Sequence, residues 1–303
     1  VFFIFLVLNI GGSLTPLGAP PLYLGFLKGV DFFWPTTHLL GKTIILVVIL
    51  LAVFYAIDSY VYARDKRVKP DPTPDTSPPI KVNGWRNILM LAAVVGVILG
   101  SATWQTDVYI DVYGVHVDYP NILRVIALTG LAGLSLWLTP LPYRSGNDFT
   151  WGPIAEVAKL FAGIFVTIVP MIAMLRAGEQ GAFRDVLALV TGPDGQPNDA
   201  MYFWLTGILS SFLDNAPTYL VFFNAAGGDP QQLMGPLATT LAAISAGAVF
   251  MGANTYIGNA PNFMVKAIAE ESGVKMPSFF GYMLWSIVFL VPCFWLVTWL
   301  YFL

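Results

Sequence analysis

Charged residues are scarce in this sequence: Asp, Glu, Lys and Arg together make up 11% of its 303 residues. In soluble globular domains this share is about 25%, and 56% of this chain is hydrophobic. The composition therefore excludes an ordinary soluble domain and predicts a protein that crosses the lipid bilayer several times. The sequence also lacks a basic patch interleaved with aromatic residues, so we expect no nucleic-acid partner.

Cysteine and histidine are nearly absent, with one and two residues respectively. Cys293 lies in an apolar run, so no disulfide framework can form. His38 and His116 are far apart in the sequence and are poor candidates for haem or metal ligands. The chain has no Gly-x-Ser-x-Gly or His-Glu-x-x-His motif and no second intramembrane aspartate to pair with Asp214. We therefore predict that the protein is not an enzyme and has no cofactor.

Long apolar segments predict an all-α polytopic membrane protein, because a membrane span takes about 20 helical residues. The candidate spans are 39–62, 87–104, 122–138, 153–175 and 279–302. Between the second and third, segment 105–119 alternates apolar residues around Gly114, which predicts a small β-hairpin outside the lipid. Segments 139–151 and 176–200 are predicted to be loops.

The positions of lysine and arginine predict the orientation in the membrane. The Pro-rich polar segment 63–86 should be cytoplasmic, because basic residues concentrate in cytoplasmic loops. Its basic residues are Arg64, Lys66, Arg67, Lys69, Lys81 and Arg86. Counting spans outward from this segment places the C-terminus on the extracytoplasmic side. Five residues fall nearer the external side and depart from the bias: Lys28, Lys42, Arg124, Arg176 and Arg184.

One segment places a carboxylate and a proline between two apolar runs that are too short to cross a membrane. Residues 210–218 read Ser-Ser-Phe-Leu-Asp-Asn-Ala-Pro-Thr. This pattern predicts a re-entrant hairpin over 201–224 or a broken helix, since irregular backbone persists at that depth only where protein or a water-filled cavity satisfies it. A carboxylate there indicates a functional site. The alternative is that Asp214 lies in a surface loop and caps the following helix.

Two glycine- and proline-rich segments interrupt apolar runs and resemble each other. Residues 12–20 align with residues 252–261 when one extra residue is allowed at Asn259. The identical pairs are Gly12 with Gly252, Thr15 with Thr255, Gly18 with Gly258, Ala19 with Ala260, and Pro20 with Pro261. The span count has the chain pass the two segments in opposite directions, which predicts an inverted-topology repeat with a binding site at the two breaks. The alternative is a chance match between loops of similar composition.

The repeat predicts the domain organisation. Residues 1–62 would end the first repeat, with a broken helix over 1–31, and 63–86 would be the linker. Residues 87–303 would form the second repeat, with the hairpin over 201–224 and a second broken helix over 236–268. We expect the hairpin of the first repeat upstream of Val1, so that this chain would be a fragment.

Small hard cations prefer oxygen ligands, which the hairpin tip and the two breaks supply. The candidate ion- or substrate-binding residues are Asp214, Asn215, Thr218, Asn254, Thr255, Asn259, Asn262, Ser13 and Thr15. Helix N-termini after Pro20 and Pro261 could hold an anionic group. The same region could therefore bind a cation, a carboxylate or both, although these side chains could also serve only as helix caps.

Glu156 and Lys159 stand three residues apart near the start of a predicted span, where they can pair on one helix face. One interpretation is a structural ion pair at the cytoplasmic interface. The other is a proton relay.

The residues from Asp214 to Thr218 match the Asp-Asn-x-Pro hairpin tip of the antiporter and arsenite branches of the ion transporter superfamily. Residues 258–262, Gly-Asn-Ala-Pro-Asn, stand where that superfamily has its second helix break. The chain resembles its NhaD-type sodium:proton antiporters and its citrate-transporter (CitMHS-like) group over nearly its whole length. Branches that couple sodium to divalent anions typically have a Ser-Asn-Thr tip instead.

The resemblance implies a multi-pass protein of the bacterial inner membrane that forms a homodimer and moves its transport domain like an elevator. It also implies that Asp214 and Asn215 bind the coupling sodium ion. Because the tip carries an aspartate, the first expectation is secondary active sodium:proton antiport. The second is transport of citrate or another carboxylate coupled to sodium or protons.

Overall fold

A computed structural model of the chain describes residues 1–64, 84–104, 106, 108–112, 115–146, 150–177, 180–182, 184–192, 195–271 and 273–303. Four helices within these ranges are long and apolar enough to cross a membrane: α2 (Trp34–Arg64), α3 (Trp85–Thr103), α4 (Tyr119–Leu138) and α13 (Phe279–Tyr301). They confirm a mostly α-helical membrane protein and helices at the predicted spans 39–62, 87–104, 122–138 and 279–302. The segment predicted as a span over 153–175 is also helical, as α6 (Gly152–Arg176) with Pro170 inside it.

The chain divides into two compact units, and the smaller one is bounded by Lys69 and Leu160. In this unit α3 packs against α4, and strands β1 (Tyr109–Val112) and β2 (Val115–Asp118) pair antiparallel with Ile110 opposite Val117. The predicted β-hairpin is thus confirmed. The loop prediction for 139–151 was wrong in part, because α5 (Leu141–Ser145) begins there with prolines in positions that a first helical turn tolerates.

The larger unit combines Val1–Val68 with Phe161–Leu303. Its N-terminal part is a π-helix (Ile4–Asn9), a 3₁₀ turn (Ile10–Leu14) and α1 (Pro20–Leu27). Its C-terminal part contains α7 (Arg184–Val190), α8 (Asp199–Phe212), α9 (Asn215–Ala225), α10 (Pro230–Met234), α11 (Ala238–Met251), a 3₁₀ turn (Gly252–Asn254) and α12 (Ala260–Glu271).

Helix α11 forms the centre of the larger unit, with every residue from Thr240 to Met251 buried. A helix that is apolar on all sides is expected to be covered on all sides, and α11 packs against α8, α9 and α1. This arrangement brings the two segments that were predicted to break their helices next to each other.

One segment of the larger unit differs from the sequence predictions, and two short helices have starts that a cap or a proline explains. Helix α7 and a bridge between Thr191 and Pro197 lie in the segment predicted to be a loop over 176–200. Helix α10 begins at Pro230, where Asp229 caps it. Helix α12 starts at Ala260, and Pro261 fits in its first turn because the N–H that proline lacks would have no partner inside the helix.

Candidate functional site

The segment predicted as a hairpin is a pair of short helices, α8 and α9, joined at Leu213 and Asp214. The helices have 14 and 11 residues, so neither reaches the length of about 20 that a membrane span requires. Asp214 is the N-cap of α9, and its carboxylate accepts a hydrogen bond from the N–H of Ala216. Asp214 therefore caps the following helix, and its carboxylate remains partly exposed at the tip.

The side chain of Asn215 follows Asp214 and has an unusual environment. It is only 1% exposed, and both polar atoms of its amide lack a hydrogen-bond partner in the described part of the chain. A buried polar group without a partner costs about 1–3 kcal/mol, so it requires an explanation, and a bound ion or ligand is one that such a site admits. Asn215 was among the predicted ligands, and its unpaired amide is the strongest indication of a binding site in this unit.

Gly252 lies close beside this amide, in a space with little room for a side chain. A Cβ atom built on Gly252 would lie 3.6 Å from Nδ2 of Asn215 and 3.2 Å from Oδ1 of Asn9. The absence of a side chain at this position therefore allows two amides from distant parts of the sequence to face the same space. Asn9 lies at the end of an apolar run and was not included in the predicted ligand set.

The two helix breaks have the same local conformation. In the first, the 3₁₀ turn Ile10–Leu14 ends at Thr15, with φ −142° and ψ 153°. In the second, the 3₁₀ turn Gly252–Asn254 ends at Thr255, with φ −138° and ψ 167°. A new helix begins after each break, α1 in one case and α12 in the other.

A pair of glycines closes each break. Built Cβ atoms on Gly12 and Gly18 would each lie 2.4 Å from the other residue's carbonyl oxygen. A Cβ on Gly258 would lie 2.7 Å from the carbonyl oxygen of Gly252, and a Cβ on Gly252 would lie 3.2 Å from that of Gly258. Both breaks therefore depend on the same backbone contact, which leaves little or no room for a side chain.

Three buried asparagines connect the two breaks. Nδ2 of Asn9 donates to Oδ1 of Asn262 at 2.9 Å, and Nδ2 of Asn259 donates to Oδ1 of Asn9 at 3.2 Å. Nδ2 of Asn262 donates to the carbonyl oxygens of Gly252 and Thr255, both at 2.9 Å. The predicted ligands Asn259 and Asn262 thus lie in one polar centre, where their amides already have protein partners.

The second break is also bonded to the end of α8. The hydroxyl of Thr255 donates to the carbonyl oxygen of Ser211, and Nδ2 of Asn254 donates to the Ser211 hydroxyl at 2.9 Å. The hydroxyl of Ser210 donates to the carbonyl oxygen of Ala248 at 2.7 Å. The hairpin tip and the second break therefore form one connected structure. Ser210 and Ser211 were missing from the predicted site, although they directly precede the tip in sequence.

The remaining predicted residues lie in or near the same unit. The hydroxyl of Thr218 donates to the carbonyl oxygen of Asp214 at 3.0 Å, and the hydroxyl of Ser13 is 2.7 Å from that of Thr43. Thr15 is partly buried in the first break. The ligand roles of all these residues stay predictions.

Glu156 and Lys159 both belong to the first turns of α6. The side chain of Lys159 is exposed, whereas that of Glu156 lies outside the described part of the structure. Their pairing and the proton-relay role stay predictions.

The polar centre offers groups for both signs of charge. Amide oxygens and the Asp214 carboxylate are suitable cation ligands. The first turns of α9 and α12, which begin at Asn215 and Ala260, present backbone N–H groups that favour an anion. The sequence places no lysine or arginine in residues 9–21 or 252–262.

Comparison with known proteins identifies the family of this chain. No curated protein and no solved structure matches the chain. The family model described as "Putative citrate transport" matches residues 1–302, which is nearly the whole chain. The chain therefore belongs to this family.

Proposed function

We propose that the protein is a secondary transporter that moves citrate or a similar carboxylate across the membrane together with sodium ions or protons. The family of the chain supports this function better than it supports sodium:proton antiport, which was the first expectation from the Asp-Asn-x-Pro tip. The observation that carries the proposal is the buried amide of Asn215, which has no partner among the described residues and lies beside Gly252, as the amide of Asn9 does.

Each part of this centre would have a separate role. Nδ2 of Asn215 and the N–H groups at the starts of α9 and α12 would donate hydrogen bonds to a carboxylate of the substrate. Oδ1 of Asn215 and the carboxylate of Asp214 would bind the coupling cation. Because the two breaks contain no lysine or arginine, the coupling cation would also offset the negative charge of the substrate.

We propose that the protein transports by alternating access, and the hydrogen bonds around the second break indicate which parts move together. Ser210, Ser211, Asn254 and Thr255 connect the hairpin tip to that break, so we propose that these parts move as one body. The matching conformations of the two breaks support an inverted repeat, with a re-entrant hairpin over 201–224. We also propose the homodimer, the inner-membrane location and the cytoplasmic side of 63–86 that the sequence predicts.

Citrate uptake by the Asn215→Ala variant tests the proposal. The full-length protein is reconstituted in proteoliposomes, and radiolabelled citrate is added to the external medium. We expect at least about a tenfold loss of uptake, because a charge-assisted hydrogen bond contributes about 1.5–3 kcal/mol. The thermal stability of the variant should be unchanged or higher, since the substitution removes an amide without a partner.

Asn224→Ala is the matched control on the same helix. Its amide donates to the carbonyl oxygen of Leu220 at 2.7 Å and so already has a partner. This variant should keep its uptake and lose some stability. Wild-type uptake by Asn215→Ala would overturn the assignment of the site.

A pH-sensitive dye inside the vesicles separates the two candidate functions. Sodium chloride and then sodium citrate are added to the outside. A proton movement that begins only with citrate supports carboxylate transport. A proton movement with sodium chloride alone, absent in Asp214→Asn, would instead establish sodium:proton antiport.

A further inference from the structure

The hairpin and the second break lie in a stretch of sequence that is almost without positive charge. Residues 185–274 contain a single basic residue, Lys266, together with several acidic ones. Lys266 follows Asn262 of the polar centre by one helical turn in α12. A substrate with several carboxylates therefore meets only one fixed positive charge in this stretch of the sequence.

Lys266 belongs to a polar stripe that begins in the polar centre. Asn262, Lys266 and Glu270 are each four residues apart in α12, so they share one face of the helix. Asn262 is fully buried, whereas the side chains of Lys266 and Glu270 are 21% and 44% exposed. Phe263 and Ile268 are exposed apolar residues elsewhere on the helix. The stripe therefore leads from the buried polar centre to the accessible end of α12.

The ammonium of Lys266 lies beside the second break. Nζ is 5.6 Å from the centre of the Tyr256 ring, and Tyr256 directly follows Thr255. The face of an aromatic ring attracts a cation at this distance. The ring itself is fixed, because Tyr256 is buried and its hydroxyl donates to the carbonyl oxygen of Pro277 at 3.0 Å. The position of this charge therefore depends on the break as well as on α12.

The carboxylate that pairs with this ammonium can be replaced by another. Nζ of Lys266 lies 2.7 Å from Oε2 of Glu270, one turn later in the same helix. Partly exposed pairs of this kind are weak, because water screens both charges. Exchange of the Glu270 carboxylate for one from a substrate keeps the ammonium paired, so the exchange has little net cost.

We propose that Lys266 is the first contact for a carboxylate of the substrate, before the substrate moves along the polar stripe to Asn215. Glu270 pairs with the ammonium until the substrate arrives and then gives way to it. The attraction increases with the charge of the ligand, so this contact favours substrates with several carboxylates over those with one. The inference rests on the proposed function and adds a capture step to it.

Initial rates of citrate uptake by the full-length protein in proteoliposomes test this step. Lys266→Gln should lower uptake at low citrate concentration about fivefold, which corresponds to ~1 kcal/mol, the upper end for an exposed ion pair. At saturating citrate its rate should equal that of the wild type, because the variant slows capture and leaves the later steps unchanged. Lys266→Arg keeps the charge and should keep most of the uptake.

Lys275→Gln is the matched control, because it removes the same charge from an exposed position after α12. It should leave uptake unchanged. Glu270→Gln frees the ammonium of Lys266 and should raise uptake at low citrate. The double variant Lys266→Glu with Glu270→Lys keeps an ion pair but moves the ammonium one turn away from Asn262. It should be as slow as Lys266→Gln.

Ionic strength provides a second measurement, with choline chloride added at constant sodium concentration. Salt screens the attraction between Lys266 and citrate, so it should slow wild-type uptake at low citrate more than uptake by Lys266→Gln. A role of the ion pair in helix stability alone would not produce this difference.

Three results would overturn capture by Lys266. They are equal uptake by Lys266→Gln and Lys275→Gln, full uptake by the double variant, and a loss in Lys266→Gln that persists at saturating citrate. Each of them leaves the proposed function intact, because the wild type still takes up citrate. If the wild type takes up no citrate, the proposed function fails and this inference fails with it.

Discussion

The first and second helix breaks share a backbone conformation but are held by different neighbours. In the first break, α2 provides the contacts: the hydroxyl of Thr43 lies 2.7 Å from that of Ser13, and the hydroxyl of Thr36 donates to the carbonyl oxygen of Leu14. In the second break, the contacts come from the hairpin through Ser211 and from α13 through Tyr282.

This difference separates the residues that form the bend from the residues that hold it in place, which the sequence alone does not distinguish. The paired glycines, a threonine in extended conformation and a helix start with proline occur in both breaks, so they determine the bend. The side chains that hold each bend are not repeated, since Ser13 of the first break aligns with Ala253 of the second. We infer that the shared backbone features form the bend in both breaks. The residues that contact each break then determine which part of the molecule it moves with.

The largest effect is expected from a side chain at the paired glycines. Gly12→Ala and Gly258→Ala each place a Cβ less than 3 Å from a backbone carbonyl oxygen, at 2.4 Å from Gly18 and 2.7 Å from Gly252 respectively. Backbone atoms cannot move aside as a flexible side chain can, so we expect each variant to lose about 3 kcal/mol of stability, the upper end of the range that is typical of overpacking. The measurement is the fraction of detergent-solubilised protein that remains monodisperse after heating.

Gly130→Ala in α4 is the control for this comparison. A Cβ at Gly130 would meet nothing within 4 Å, and alanine is favoured over glycine within a helix by about 1 kcal/mol. This variant should be as stable as the wild type or more so. If Gly12→Ala matched it while Gly258→Ala did not, the two breaks would not depend on the same contact.

The aligned threonines should differ clearly in their importance. The hydroxyl of Thr255 donates to Ser211 and accepts from the N–H groups of Ile257 and Gly258, whereas that of Thr15 makes no hydrogen bond within the described residues. Thr255→Val should therefore cost about 1–3 kcal/mol, because it leaves buried backbone groups unsatisfied. Thr15→Val should change stability by less than about 0.5 kcal/mol.

Thermal unfolding of both valine variants in one detergent measures this difference. Similar midpoints for Thr15→Val and Thr255→Val would contradict the view that the second break is held by its side chains. The same pair, assayed for citrate uptake, shows whether the connection to the hairpin affects transport beyond stability.

The sequence predicts the fold well where the pattern is local. Long apolar runs give the spans, and the alternation around Gly114 gives the β-hairpin, because each depends on neighbouring residues. Segments rich in turn-forming residues were less predictable, and α5, α7 and α10 form within them. Proline at the start of a short helix and proline in a loop look alike in sequence.

The candidate site is predictable in its location but not in its connections. The sequence locates Asn215 and the second break, because a carboxylate, amides and glycines stand there between apolar runs. The role of Asn9 depends on contacts with Asn259 and Asn262, some 250 residues away, which no local pattern contains. Hydrogen bonding also decides which amides can bind a ligand. Nδ2 of Asn262 donates to backbone carbonyl oxygens, whereas the amide of Asn215 has no partner in the described structure.

The smallest difference between the two breaks is expected from the contacts that hold each break to a long helix. Tyr282→Phe keeps the ring, which packs on Tyr256 at 4.2 Å, and removes only the hydroxyl that donates to Ala253. The carbonyl oxygen of Ala253 then loses this donor, at a cost of about 1 kcal/mol. Thr43→Val should cost less, because Ser13 keeps the carbonyl oxygen of Ile10 as its acceptor at 2.7 Å.

Unfolding midpoints of Tyr282→Phe and Thr43→Val, measured against the wild type in one experiment, test this order. A larger loss in Thr43→Val would mean that the first break depends on α2 more strongly than its hydrogen bonds indicate, and the contrast between the two breaks would reverse. The expected order means that, among the described residues, the Tyr282 hydroxyl alone fastens the second break to α13 through a side-chain hydrogen bond, with no substitute for it. A segment held in that way can be released by breaking few contacts, which is what a part that moves with the hairpin during transport requires.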